Sequence, residues 1–125
     1  MSAKILVVDD SRTIRLQLQK ILSNAGFEVV LAENGLQAID QMSCEPDLMI
    51  LDVVMPEMDG YGVCEKLKEF GDRYSRLPIV FLTSLKSHPM QLLGREYGAY
   101  LQKPVQDSEL VAAVRSQLDL LATNS

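Results

Sequence analysis

At 125 residues, the chain is long enough to bury one hydrophobic core and too short for two independent ones, so one domain spanning 1–125 is expected. Charged residues make up 23% of it and apolar residues 47%, which excludes an intrinsically disordered chain. A net charge of -5 and an isoelectric point near 4.8 exclude a basic phosphate-binding surface, so partner contacts are expected with protein and not with nucleic acid.

Lys4 to Val8 is an apolar run ending in Asp9-Asp10 and reads as a strand buried on both faces. A first helix follows, with Ser11 as N-cap, Ile14, Leu18, Ile21, Leu22 and Ala25 on one face, and Gly26 as its stop. Phe27 to Ala32 is a second strand, expected to be shorter than the others and to lie at an edge. Asn34 then caps a short helix that turns Ala38, Ile39 and Met42 inward before Pro46 ends the segment. Leu48 to Leu51 is a third strand, placing Asp52 at its end. Asp59 can cap a third helix carrying Val63, Cys64, Leu67 and Phe70, with Gly71 beyond it. Ile79 to Leu82 is a fourth strand before Thr83, and Ala99 to Gln102 a fifth before Lys103. Between them His88-Pro89 suggests a fourth helix that starts late, since Pro suits a first helical turn, and Gly94 weakens it. From about Gln106 a last helix repeats Leu110, Val111, Val114, Leu118 and Leu121 at spacings of three and four.

Five strands alternating with five helices, without hairpin signals, imply right-handed crossovers and a parallel sheet covered on both sides. The α/β fold expected is the flavodoxin-like doubly wound sheet of order 2-1-3-4-5. No apolar run approaches a membrane span, and the start Met1-Ser2-Ala3-Lys4 lacks a signal-peptide pattern, so a cytoplasmic protein is expected. Cys44 and Cys64 are too few for a disulfide framework and read as buried reduced thiols on helices.

In such sheets ligands bind beyond the carboxyl ends of the strands. There the order of elements collects Asp9, Asp10, Asp52, Thr83 and Lys103. Carboxylates this close repel, by about 4 kcal/mol for two unit charges at 4 Å and an effective dielectric of 20. Lys103 can neutralise part of that charge, and a divalent cation the rest. Oxygen ligands favour Mg²⁺, or Mn²⁺, over zinc. A carboxylate, a cation, a hydroxyl and an ammonium group are the parts that phosphoryl transfer onto an aspartate requires. Each residue alone has a plainer reading: Asp9-Asp10 as turn and capping residues, Asp52 and Thr83 as strand-end residues, Lys103 as a solvated charge. Those readings need four strand ends to offer complementary phosphate chemistry by accident. The single histidine, His88, reads as a loop residue with nothing nearby to activate it.

Four blocks, Val7-Val8-Asp9-Asp10-Ser11, Leu51-Asp52-Val53-Val54-Met55-Pro56-Glu57-Met58-Asp59-Gly60, Phe81-Leu82-Thr83-Ser84 and Lys103-Pro104, resemble the CheY-like receiver domain of two-component response regulators over nearly the whole chain. The resemblance implies that Asp52 receives a phosphoryl group from a phosphohistidine on a sensor kinase or phosphotransfer protein. It implies direct Mg²⁺ ligation by Asp10, water-mediated ligation by Asp9, and a further ligand in the backbone carbonyl of Val54. Lys103 would pair with the phosphoryl oxygens while Thr83 moves toward them, and Ser84 would leave the approach to Asp52 open. Tyr100 is implied as an aromatic switch, beside the alternative of a strand residue packed on the last helix. One departure stands out: Gly98-Ala99 runs straight into Tyr100-Leu101, where receivers commonly carry two more residues. The implied output is docking to a downstream protein or an attached effector domain, and the implied chemistry is self-catalysed transfer and hydrolysis without enzymatic turnover of a separate substrate. A phosphatase of the haloacid-dehalogenase type also uses an aspartate after a strand, but it calls for Asp-x-Asp where these aspartates are adjacent, and for a cap domain. A flavin or nucleotide module would need a Gly-rich or Ser/Thr-rich loop where this one is Asp-rich.

Overall fold

Five apolar runs, each flanked by polar residues, fold as five parallel strands in one sheet of order β2-β1-β3-β4-β5. The computed structural model describes residues 3–53, 60–69, 77–83 and 98–123. Its strands are β1 (Lys4–Val8), β2 (Glu28–Ala32), β3 (Leu48–Asp52), β4 (Ile79–Thr83) and β5 (Gly98–Gln102). Its α-helices are α1 (Arg12–Asn24), α2 (Gly35–Asp40), α3 (Gly60–Lys68) and α4 (Asp107–Thr123), with a 3₁₀ turn at Gln41–Cys44 after α2. The expected doubly wound order is the one found. The helix expected after Pro89, the Asp59 cap, and Phe70 and Gly71 lie outside the described residues.

The central strands β1, β3 and β4 are buried on both sides because helices cover both faces, and side-chain alternation sorts each strand into two cores. On one face Leu6, Val8, Met49, Leu51, Ile79 and Phe81 pack with Ala38 and Met42 from α2 and its 3₁₀ extension, and with Val63 and Leu67 from α3. On the other, Ile5, Val7, Leu48, Ile50, Val80 and Leu82 pack with Leu18, Ile21 and Leu22 of α1 and Leu110 and Val114 of α4. Each of these side chains larger than Ala38 contributes roughly 1.5–3 kcal/mol on burial.

Helix α1 shows how local signals fix the element beside the site. Ser11 caps it in extended conformation, its Oγ accepting from the Ile14 N–H at 3.4 Å. Its end is a Schellman motif, in which the Phe27 N–H donates to the Leu22 carbonyl and the Gly26 N–H to that of Ser23, both at 3.0 Å. Gly26 sits at φ +95°, which a side chain would strain. Asn34 caps α2 in the same manner, its Oδ1 accepting from the Gln37 N–H at 2.8 Å.

Two expectations need correction. Strand β2 is an edge, but it is no shorter than the rest, because pairing along β1 from Lys4↔Glu28 to Val8↔Ala32 uses every residue of both strands. Cys44 is half-buried and not buried, since it ends the 3₁₀ turn near the surface with its Sγ donating to Gln41 Oε1 at 3.3 Å. Cys64 is buried, and neither cysteine is in a disulfide. Among the described residues no helix is long and apolar enough to cross a membrane.

Phe81 is 1% exposed and packs centrally in the core under α3. Phe81→Ala is expected to lower the unfolding free energy by about 3–5 kcal/mol, read from urea transitions. A loss below about 1 kcal/mol would contradict this packing.

Candidate functional site

Strand register decides what meets at the carboxyl rim. Val8 of β1 faces Leu51 of β3, so Asp9, one position on, lies level with Asp52. Asp52 in turn faces Leu82 of β4, and Thr83 faces Gln102 of β5, which puts Lys103 one step beyond. Alternation carries this further: Val7, Ile50, Leu82 and Leu101 all turn toward α1 and α4, and Asp9, Asp52 and Lys103 each come two residues after one of them.

The consequence is a triad of charges, two buried and one half-buried. Lys103 Nζ lies 2.7 Å from Asp9 Oδ2 and 3.4 Å from Asp52 Oδ2, with the Lys103 side chain 20% exposed and that of Asp9 fully buried. The second oxygen of Asp9 accepts from the Ser11 N–H at 2.9 Å, while its own N–H donates to the Ala32 carbonyl and its carbonyl accepts from Arg15 Nη1 at 2.7 Å. Every polar group of Asp9 is therefore engaged.

Asp10 differs completely. It is exposed, and among the described residues no hydrogen bond or ion pair reaches its carboxylate. Carboxylate oxygens of Asp9, Asp10 and Asp52 nevertheless lie within 4.8 Å of one another. An all-oxygen trio with one carboxylate open to solvent fits a hard divalent cation that keeps part of its water shell, and does not fit a thiolate or imidazole metal.

Burial desolvates the Lys103 ammonium and alone would lower its pKa. The hydrogen bond it donates to Asp9 and the charges of Asp52 and Asp9 together outweigh that cost, so the pKa stands above its usual 10.5.

The chain matches the family model of the response regulator receiver domain over residues 5–115. It is 43% identical over 121 residues to response regulator MprA of Mycobacterium bovis, covering 94% of this chain and 51% of that protein. The chain belongs to the response regulator receiver family. It is also similar to a protein named probable transcriptional regulator ycf27 of Cyanophora paradoxa, at 45% identity over 118 residues, covering 92% of this chain and 48% of the other. The chain spans about half the length of these curated relatives. Among solved structures, chemotaxis protein CheY4 of Vibrio cholerae aligns at a TM-score of 0.85 with 32% identity, over 94% of this chain and 99% of that one. A response regulator of Chloroflexus aurantiacus does so at 0.85 and 35%, over 95% and 99%. Two-component signalling is the setting of this receiver domain.

The structure thus brings Asp9, Asp10, Asp52 and Lys103 of the receiver together. Thr83 is the last residue of β4 and not the first beyond it, and its side chain lies outside the described residues, as do Val54, Ser84 and His88. Tyr100 is half-buried and packs with the core under α2 and α3, in register with Phe81. That overturns the alternative of packing on the last helix, because alternation gives that face to Leu101 instead. Gly98-Ala99, expected to precede the fifth strand in part, is drawn into it as far as Gly98. Arg15 escaped the sequence analysis. Its signal was a cation near a helix N-terminus that carries no acidic residue in its first turn, a location the helix dipole disfavours.

A lysine with a raised folded pKa stabilises fully below its unfolded value of 10.5 and loses that effect as pH rises through the folded value. The stability gap between wild type and Lys103→Met should accordingly hold from mildly alkaline pH to about pH 10 and narrow above it, in urea unfolding at stepped pH. A gap already narrowing toward neutral pH from that range would contradict the ion pairs.

Proposed function

We propose that this receiver domain is a phosphoacceptor in which Asp52 takes a phosphoryl group from a phosphohistidine on a sensor kinase or phosphotransfer protein. The observation that carries it is the meeting of three carboxylates and one ammonium at a single rim: Asp9, Asp10 and Asp52 within 4.8 Å of one another, and Lys103 against two of them.

In this reading an Asp52 carboxylate oxygen attacks phosphorus in line, forming a P–O bond as the P–N bond to the donor imidazole breaks. The electron pair leaves on the imidazole nitrogen, which takes a proton from solvent. Lys103, already within 3.4 Å of Asp52, pairs with the phosphoryl oxygens and offsets their charge in a site of low dielectric. To do so it must share itself with Asp9, its partner at 2.7 Å. Asp10, the open carboxylate, with Asp52 and Asp9, would hold a divalent cation, Mg²⁺ or Mn²⁺, whose charge when bound withdraws electron density from the phosphoryl oxygens. Water later attacks the same phosphorus and returns Asp52 to a carboxylate. The chain catalyses its own modification and is not a turnover enzyme.

Output follows from the same site. Thr83, beside Asp52 in the sheet and next to β5, and Tyr100, packed on the core face that Phe81 shares, are assigned as the switch pair. Relatives twice as long, one of them named a transcriptional regulator, support an output through a downstream protein or an attached effector domain. The acidic charge of the receiver itself argues against nucleic acid binding through it. A cytoplasmic location is part of the same proposal.

Incubated with Mg²⁺ and acetyl phosphate, the protein should gain one labile phosphoryl group by intact mass, and Asp52→Ala none. Lys103→Met should slow the gain by about 100-fold, the usual cost of removing one preorganised electrostatic partner. Equal labelling of Asp52→Ala would end this reading, and sustained phosphate release from a phosphomonoester would favour a phosphatase.

A further inference from the structure

The structure assigns Arg15 as a positioning residue that sets the acidic turn for its cation by holding the Asp9 carbonyl. This deepens the proposed function and rests on the turn being a cation site. Arg15 Nη1 donates to that carbonyl at 2.7 Å, and Nη2 of the same guanidinium lies 3.9 Å from Glu33 Oε2 just beyond β2. The Arg15 side chain is 13% exposed, so the carbonyl contact is a charge-assisted bond in a largely desolvated place.

The carbonyl in question belongs to the peptide unit joining Asp9 to Asp10. Fixing its direction fixes the plane that also contains the Asp10 N–H. The Asp10 Cα–Cβ bond is then left with rotation about one backbone torsion only. Asp9 is anchored by three further groups, the Ser11 N–H, the Ala32 carbonyl and the Lys103 ammonium, but Asp10 has no side-chain partner among the described residues. What orients Asp10 is therefore its backbone, held by Arg15 at the peptide before it and by the Asp9 carboxylate at the Ser11 N–H after it.

Glu33 extends the grip to α2. Its Oε1 accepts from Gln37 Nε2 at 3.2 Å, Gln37 Oε1 accepts from the Glu33 N–H at 2.9 Å, and the Gln37 N–H donates to the Asn34 cap. The ion pair itself is weak, since the Glu33 side chain is 55% exposed. The carbonyl bond carries the effect.

Two opposite consequences separate positioning from plain charge. A guanidinium near the turn repels a divalent cation, so on charge alone its removal tightens binding. Positioning predicts the reverse. Titration of the full chain with MgCl₂, followed by backbone amide shifts of Asp10 and Ser11, gives the affinity without reference to activity. Arg15→Met should weaken Mg²⁺ binding by about tenfold, the low end for groups that orient metal ligands. Arg15→Lys, which keeps the charge but loses the planar fork, should weaken it in the same direction and serves if the Met variant does not fold. In acetyl phosphate reactions the half-saturating Mg²⁺ should rise more than the maximal rate falls. Unchanged or tighter Mg²⁺ binding in either variant overturns the assignment, as does a wild type that binds no Mg²⁺. Arg15-dependent Mg²⁺ binding in a chain that takes no phosphoryl group supports the positioning role and sinks only the phosphoacceptor reading.

Discussion

One ammonium group holds the carboxyl rim of this receiver domain together. Asp9 and Asp52 are both buried, and without Lys103 between them two like charges would face each other in a medium far less polarisable than water. Their repulsion is offset at 2.7 Å on one side and 3.4 Å on the other. That asymmetry matters chemically. Lys103 leans on Asp9, whose every polar group is satisfied, and stands close to Asp52, which the proposed chemistry modifies.

The sheet order makes this arrangement possible. Because β1 lies between β2 and β3, and β5 reaches the rim through β4, residues nearly a hundred positions apart become neighbours at one end of the fold. The same parallel register that buries two apolar cores stops at polar residues on the rim, where no further strand pairing is available. The apolar layers thus decide where the charges end up. A parallel sheet buried on both faces holds them with little freedom.

Much of this was legible in the sequence. Strand positions followed from apolar runs ending in Asp9, Asp52, Thr83 and Lys103, and the strand order followed from alternation with helices. Ser11, Gly26 and Asn34 announced helix boundaries that the structure reproduces. What pattern reading could not supply was side-chain direction. The face that Tyr100 takes depends on the register of β5 against β4, which pairs Tyr100 with Phe81, and a one-residue slip there inverts the assignment. The half-exposed position of Cys44 depends on a 3₁₀ turn that no periodicity encodes. Arg15 was missed because its partner is a backbone carbonyl, so residue types offered only the weak hint of a cation near an N-terminus without acidic residues in its first turn.

The proposed chemistry requires that Asp52 carry the phosphoryl group, with Asp9 and Asp10 serving a cation. Borohydride reduction of the phosphorylated chain tests this most directly, since it converts an aspartyl phosphate to homoserine, which peptide mass spectrometry can locate. Homoserine at position 52 alone is the result expected. Homoserine at position 9 or 10, or phosphate found on a hydroxyl that borohydride leaves intact, would contradict it.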